Sequence, residues 1–346
     1  MSSDTAPIRP DERFDEERVA DHLRRNLPDL LGDSSIVFEQ FPGGKANLTY
    51  LARAGDVELV LRRPPLGEVA PRSHDMAREY RVLSVLHSVF PQAPEALHFC
   101  GDPEVMGKPF FVMERRRGEV IREEWPPSVD GTEAGRRTVA GNLVDTLADL
   151  HLVDHVVLGL GDLGRPEGFT TRQVEGWTER WIRAQHHEVP AMDALGERLL
   201  SRVPAPQRAV LLHNDFKLDN TMIGSGGDVV AVFDWDMATL GDPLVDLGTA
   251  LSYWGGTGSK TRMVTSDATA PGVVMPAEEA ARRYAVRTGL DLGELDWYRA
   301  LGSFRIAVIL QQIHIRWVRG QTRDERFAVL GDLVGPLAEG ALESLD

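Results

Sequence analysis

A chain of 346 residues, 42% hydrophobic and 26% charged, has the composition of a globular protein long enough to bury a sizeable core in two structural units. Its formal net charge of −15 excludes the basic face by which nucleic-acid binders hold phosphate, so no nucleic-acid partner is expected. Apolar runs such as IAVIL at 306–310 fall short of a membrane span, the acidic start has no secretory core, and the lone Cys100 allows no intramolecular disulfide; a cytoplasmic protein without a membrane partner is expected.

Residues 15–31 (DEERVADHLRRNLPDLL) carry apolar residues at helical spacing and stop at Gly32-Asp33, which predicts one helix. From 36 to 63 the pattern changes to IVFEQF, NLTYLARA and VELVLRR, joined by PGGKA and by a Gly55-Asp56 turn, the signature of an antiparallel meander. Pro64-Pro65 ends it. A helix is predicted over 75–88, with Tyr80, Leu83 and Leu86 at core spacing, and then strands at 96–100 (ALHFC) and 109–115 (PFFVMER). Beyond Gly118 the pattern is mainly helical, at 133–153, about 170–187, 244–254, 277–288 and 294–319, around a strand-rich insert at 210–236. The class is therefore α+β: a small sheet-rich part over 1–115 and a larger, mainly helical part over 116–346.

Three patterns promise more chemistry than they hold. PGGKA resembles part of a P-loop, but Glu39 stands where the first glycine is required, and the segment joins two strands instead of opening a helix. GSGGD at 224–228 lacks the third glycine of a dinucleotide fingerprint and reads as a hairpin turn. His151 and His155 stand at zinc-binding spacing, but Leu152 occupies the position of the zincin glutamate, and a helix end is the simpler reading.

The stretch HNDFKLDN at 213–220, followed by VVAVFDWD and then GDPLVDLG, is different. Asn and Asp are favoured in turns, yet turn propensity does not explain the spacing. His213, Asp215 and Asn220 fall at the first, third and eighth positions of the kinase catalytic-loop pattern H-R-D-L-x-x-x-N. Lys217 lies two residues after Asp215, and Asp234 follows on an apolar strand at the separation of the kinase metal ligand. The order HxDxxxxN, D-W, GDPxxDL resembles the aminoglycoside phosphotransferase family of small-molecule kinases. With FPGGKANLTY, VLRRPP, REYRVL and FFVMER, residues 36–320 are most similar to the kinase-like domain fused to some acyl-CoA dehydrogenases.

That resemblance implies a two-lobed, protein-kinase-like fold with ATP and Mg²⁺ as cofactors and a small-molecule hydroxyl compound as acceptor. Asp215 would take or orient the hydroxyl proton, Lys217 would stabilise the transferring group, Asn220 and Asp234 would hold Mg²⁺, and His213 would fix the loop. Asp246 would brace that loop, while Asp242-Pro243 reads as a helix N-cap. Asp236 is open between a metal role and a capping bond. Gly43, Gly44 and Asn47 would cover the phosphates, with Ala46 where the family often has Ser. Arg62 stands where kinases carry a lysine, paired with Glu79. Met113, Glu114 and Arg115 fall at the inter-lobe hinge that meets adenine.

The acceptor is either a hydroxyacyl thioester or hydroxy acid, by resemblance, or an aminoglycoside-like cation, by charge. Trp177, Trp181, Gln311 and Arg316 are either pocket or core, and Arg115–Arg117 either attract an anion or form a solvated face. The rival function is a nucleotide-binding pseudokinase, for which Arg62 leaves room.

Overall fold

The computed structural model describes residues 4–42, 47–67, 75–255 and 269–346. Contacts divide the chain into two units, Met1–Arg117 with Ala231–Ala238, and Gly118–Val230 with Thr239–Asp346.

In the first unit, α1 (Glu16–Asn26) begins at an Asp15 cap that accepts from Arg18 N. The single helix expected over 15–31 is in fact two. Leu27 takes φ −130° and ψ 48°, and a short α2 (Pro28–Leu31) starts afresh. Proline disfavours helical backbone in the residue before it, so the break falls at Leu27. The strands β1 (Val37–Gln40), β2 (Leu48–Ala54), β3 (Val57–Arg63), β4 (Ala96–Cys100) and β5 (Phe110–Glu114) form one antiparallel sheet in the order β1-β2-β3-β5-β4. Between β3 and β4 lies α3 (Met76–Leu86), capped by Asp75, and α4 (Pro103–Met106) follows β4. Cys100 is buried, as a small hydrophobe would be.

Strand periodicity sends the consecutive arginines of β3 to opposite faces. Arg63, 1% exposed, bonds Tyr50 Oη and the carbonyls of Glu12 and Met106, with Phe14 and Tyr50 rings beside its guanidinium. Arg62 goes the other way, toward α3. The helix presents Met76, Val82, Leu83 and Leu86 as its buried face, with Glu79 among them at 2% exposure, whereas Tyr80 is half-buried against Phe99. Residues 231–238 pack on this same unit: Val232 N donates to Gln92 O, and Trp235 is fully buried with its ring edge against Phe90.

The second unit is built from α5 (Glu133–His151), α6 (Phe169–Ala184), α7 (Pro190–Ser201), α8 (Pro243–Ser252), α9 (Ala277–Thr288), α10 (Leu295–Val318) and α11 (Val334–Glu343). Neither α7 nor α11 was anticipated from the sequence, although α7 carries a Pro at its start and buried Met192, Leu195 and Leu199 at helical spacing. The α8 helix is buried throughout and packs along α10 at close range: a Cβ at Gly302 would stand 2.7 Å from Gly248 O. Among the described residues no helix is long and apolar enough to cross a membrane. Short strands complete the unit. β6 (Val210–Leu212) pairs with β9 (Thr239–Gly241), and β7 (Thr221–Ile223) pairs with β8 (Val229–Val232) through the expected Gly-rich hairpin, where Gly227 takes φ +84°.

Candidate active site

The sequence-derived candidates fall into two acidic sets, one in each unit. In the first, Arg62 lies on β3 opposite Thr49 and Phe111. Its Nε donates to Glu79 Oε2 at 3.0 Å and its Nη2 to Asp234 Oδ1. Glu79 Oε1 accepts from the backbone N of Trp235, and the preceding Arg78 grips Ala238 O through Nε and Nη2 at 2.9 and 2.6 Å. Two consecutive α3 residues therefore hold both ends of the segment that carries Asp234. That segment is wound tightly, with Asp234 at φ +70° opening a short 3₁₀ turn over Trp235–Met237.

Burial shapes the electrostatics here. It pushes the Glu79 carboxyl up to about 7; Arg62 opposes the shift, and the negative charges of Asp234 and Asp236 add to it. Burial also works against the Arg62 charge, but Glu79 and Asp234 outweigh it and leave the guanidinium firmly charged. One cation thus serves two carboxylates, of which Asp234 is the more exposed, at 28%.

In the second unit, His213 is fully buried and its Nδ1 accepts from Asp215 N at 3.3 Å. Asn214 between them takes φ +67°, a left-handed conformation in which Asn is among the few tolerated side chains. Asp246 on α8 accepts from the backbone N–H groups of His213 and Asn214, both at 2.7 Å. It is fully buried and also bonds His151 Nε2 at 3.2 Å, while His151 Nδ1 meets Tyr284 Oη at 2.6 Å. Burial alone would raise the Asp246 carboxyl; the hydrogen bond and charge of His151, with His213, bring it below the usual range.

Asp215 faces Lys217, whose Nζ lies 3.2 and 3.0 Å from its two oxygens and 5.1 Å from the Tyr253 ring centroid. Burial works against the ammonium, but Asp215 outweighs it and holds Lys217 above the usual lysine range. Asn220 Nδ2 donates to Asp215 O and Oδ2, both at 2.8 Å, so Oδ1 points to no partner among the described residues. A small pocket lined by Leu143, Phe216, Lys217, Tyr253, Trp254 and Pro271 adjoins this loop. Arg305 of α10, buried at 3% exposure, reaches the loop as well, donating to Asn214 O and Oδ1 at 2.8 and 3.0 Å.

The remaining candidates are placed as follows. Gly43 and Gly44, with Lys45 and Ala46, lie outside the described residues. Asn47 is 3% exposed, and among the described residues neither end of its amide has a partner. Met113 pairs with Val60 and Ala96, and Glu114 N already donates to Glu95 O. Arg115 binds Asp4 and Glu58, Arg116 binds Glu114, and Arg117 binds Glu58, so the arginine run is matched by carboxylates of its own unit. Trp177 and Trp181 are core, at 4% and 1% exposure, Gln311 is buried on Ala184 O, and Arg316 is exposed. Asp242 caps α8 through Leu244 N and accepts from Tyr298 Oη.

Sequence reasoning missed His151, Tyr284 and Arg305. His151 is indeed at a helix end, but it is also bound to the brace beneath the loop. Arg305 carried a signal that could have found it: a lone cation in the apolar run FRIAVIL must be buried with partners or not buried at all.

Residues 37–301 match the profile of the phosphotransferase enzyme family. Acyl-CoA dehydrogenase family member 11 of Rattus norvegicus is 32% identical over 351 residues, covering 99% of this chain and 45% of that protein. The chain thus spans less than half the length of this curated relative. Among solved structures, a Ralstonia eutropha protein classed provisionally as an aminoglycoside phosphotransferase superposes with a TM-score of 0.80 at 30% identity, covering 96% of this chain and 98% of the other. The complex of aminoglycoside phosphotransferase APH(4)-Ia with AMP-PNP and hygromycin B shares the fold, at a TM-score of 0.59 and 17% identity, over 94% of this chain and 98% of that one. The α+β fold is therefore that of the kinase-like phosphotransferases.

Proposed function

The chain belongs to the phosphotransferase enzyme family, and from that premise we propose that it transfers the γ-phosphate of ATP to the hydroxyl of a small molecule. The observation that carries this reading is the pair of hydrogen bonds that Asn220 Nδ2 donates to Asp215 O and Oδ2. The pair orients a carboxylate able to accept a hydroxyl proton and leaves the amide oxygen, a hard ligand type, without a partner among the described residues.

Phosphoryl transfer asks a protein for positioning and for compensation of charge more than for covalent chemistry. Asp215 is the group to receive the acceptor proton, worth roughly 10²–10⁴-fold in rate. Lys217 beside it is a fixed positive charge for the transferring phosphoryl oxygens, released to them as the hydroxyl replaces it against Asp215. Asn220 Oδ1 in one unit and the Asp234 carboxylate in the other are each a hard oxygen donor of the kind that suits Mg²⁺, which when bound would compensate phosphate charge. Arg62 is a second fixed cation for the nucleotide phosphates, and its planar fork suits them bidentately. Two readings of the acceptor are supported from different sides. The names of the curated relatives point to acyl-CoA chemistry, hence a hydroxyacyl thioester or hydroxy acid, and the solved relatives point to aminoglycosides.

A nucleotide-binding module without transfer is the second reading. Its supporting observation is that Arg62 engages Asp234 directly, which a competent metal ligand has to share. Phosphate transfer from ATP, followed across hydroxyacyl-CoAs, hydroxy acids, aminoglycosides and sugars with Asp215→Ala as control, separates the two. Turnover on at least one acceptor that Asp215→Ala abolishes supports the kinase. Nucleotide binding with no turnover on any acceptor supports the module.

A further inference from the structure

A buried arginine is costly unless its charge and donors are met. Arg305 meets its charge and both its Nη groups on the catalytic loop and on Thr249 of α8, while its Nε finds no partner among the described residues. Nη1 donates to Asn214 Oδ1 and to Thr249 Oγ1, both at 3.0 Å, and Nη2 donates to Asn214 O at 2.8 Å. The guanidinium carbon lies 5.2 Å from the centroid of the buried Trp177 ring. The partners are buried too, Asn214 at 6% and Thr249 at 2% exposure, and Asp246 completes the enclosure from the other side by binding Asn214 N. Backbone N, backbone O and side-chain oxygen of a single residue are thus held by two buried charges of opposite sign.

That residue is the one in the loop with a left-handed backbone. Such a conformation costs an L-residue about 1 kcal/mol or more and persists where its surroundings over-determine it. It separates His213, which is fully buried, from Asp215, which is partly exposed beside Lys217. We propose that Arg305 is a positioning residue for Asp215: its guanidinium fixes Asn214 in the left-handed conformation and so sets where the Asp215 carboxylate stands. Lysine cannot substitute, since one ammonium does not span a backbone oxygen, an amide oxygen and a threonine hydroxyl in a plane.

The inference rests on the transfer reading for its catalytic readout, and the test keeps the two apart. Wild type and Asp215→Ala are assayed first; if neither transfers phosphate to any acceptor, the transfer reading fails on its own. Given turnover, with active sites counted by nucleotide titration, Arg305→Lys is expected to lower kcat on the order of 100-fold while the KM for ATP stays unchanged. Asn214→Gly keeps the left-handed backbone and loses only the Oδ1 contact, so its fall in kcat is smaller. The double variant falls no further than Arg305→Lys alone, because both act through one contact.

Wild-type kcat in Arg305→Lys, or additive losses in the double variant, overturns the proposal. If Arg305→Lys does not fold, Thr249→Val and Asn214→Gly decide: each should lower kcat at unchanged KM for ATP, and unchanged kcat in both overturns it. Hydrogen exchange gives a readout independent of turnover. Amides of residues 214–217 should exchange faster in Arg305→Lys by more than its loss of global stability in urea unfolding accounts for, and exchange that rises only with that loss overturns the proposal even in a protein that transfers nothing.

Discussion

The two acidic sets are held by different physics. In the first unit, Glu79 and Asp234 converge on the single guanidinium of Arg62, while Glu79 and Arg78 hold the main chain only beyond Asp234, at Trp235 and Ala238. In the second, the main chain around Asp215 is itself bound, its amides to Asp246 and its Asn214 oxygens to Arg305. Side-chain pairs exchange partners by turning about χ angles. A backbone pinned by two buried charges cannot move without exposing or unpairing one of them. The contrast teaches that the carboxylates on Arg62 are set by side-chain pairing, whereas Asp215 is carried on a main chain held in place, the arrangement that its proposed role as base would need.

The sharpest way to break this comparison is to remove one carboxylate from each set. Asp215→Ala should cost roughly 10²–10⁴-fold in kcat and leave nucleotide affinity unchanged. Asp234→Ala should weaken nucleotide binding only when Mg²⁺ is present. Calorimetric titration with and without Mg²⁺ reads both, and equal weakening by the two variants would erase the division of labour.

The brace is next. Asp246→Ala leaves two buried amides and His151 without their acceptor, and urea unfolding should show a loss of about 3–5 kcal/mol. A loss below about 1 kcal/mol would place Asp246 among surface pairs and remove the pinned-backbone side of the contrast. In the first unit, Arg62→Lys keeps the charge but not the fork that reaches Glu79 and Asp234 together. Its kcat/KM for ATP should fall by the equivalent of about 1.5–3 kcal/mol, the worth of a charged hydrogen bond.

Acidity separates the units more subtly. Glu79 has its carboxyl pushed up to about 7 by burial, from an ordinary value of 4.5. Between those values the folded unit keeps a proton that the unfolded chain has released, so stability from this group is complete below 4.5 and is lost as pH rises through 7. Thermal unfolding of Glu79→Gln across that window should lack this decline.

The smallest effect has the opposite sign. His22 and His98, with Nε2 atoms 2.9 Å apart, are both held below the ordinary 6.5, chiefly by burial. Their contribution is present above 6.5 and fades as pH falls through the lowered folded value. His98→Asn should remove that acid loss, a screened effect of about 0.2–1 kcal/mol. An unchanged acid limb would detach the pair from the stability of the first unit.

Much of this was legible in the sequence. ALHFC at 96–100 and the helix at 277–288 were read at their observed limits, because period-2 and period-3.6 patterns and turn residues act within a few positions. Pro28 acts equally locally, turning Leu27 out of helical backbone and splitting the helix there. The α7 and α11 helices were missed where apolar positions are diluted by Gly and Pro, as in PAMDALGERLLS and VGPLAEGALE. The spacing of His213, Asp215, Lys217, Asn220 and Asp234 was visible because one loop and one strand carry it all.

By itself, then, the sequence determined most of the elements, the order of the sheet-rich and helical parts, and the residue types of the loop. Tertiary structure alone decided who holds that loop. His151 lies 95 positions before Asp246, and Arg305 lies 91 positions after Asn214. Burying a charge obliges a protein to find it a partner, but spacing along the chain does not say which. The choice is made by desolvation and Coulomb terms between groups that meet only once the helices have packed.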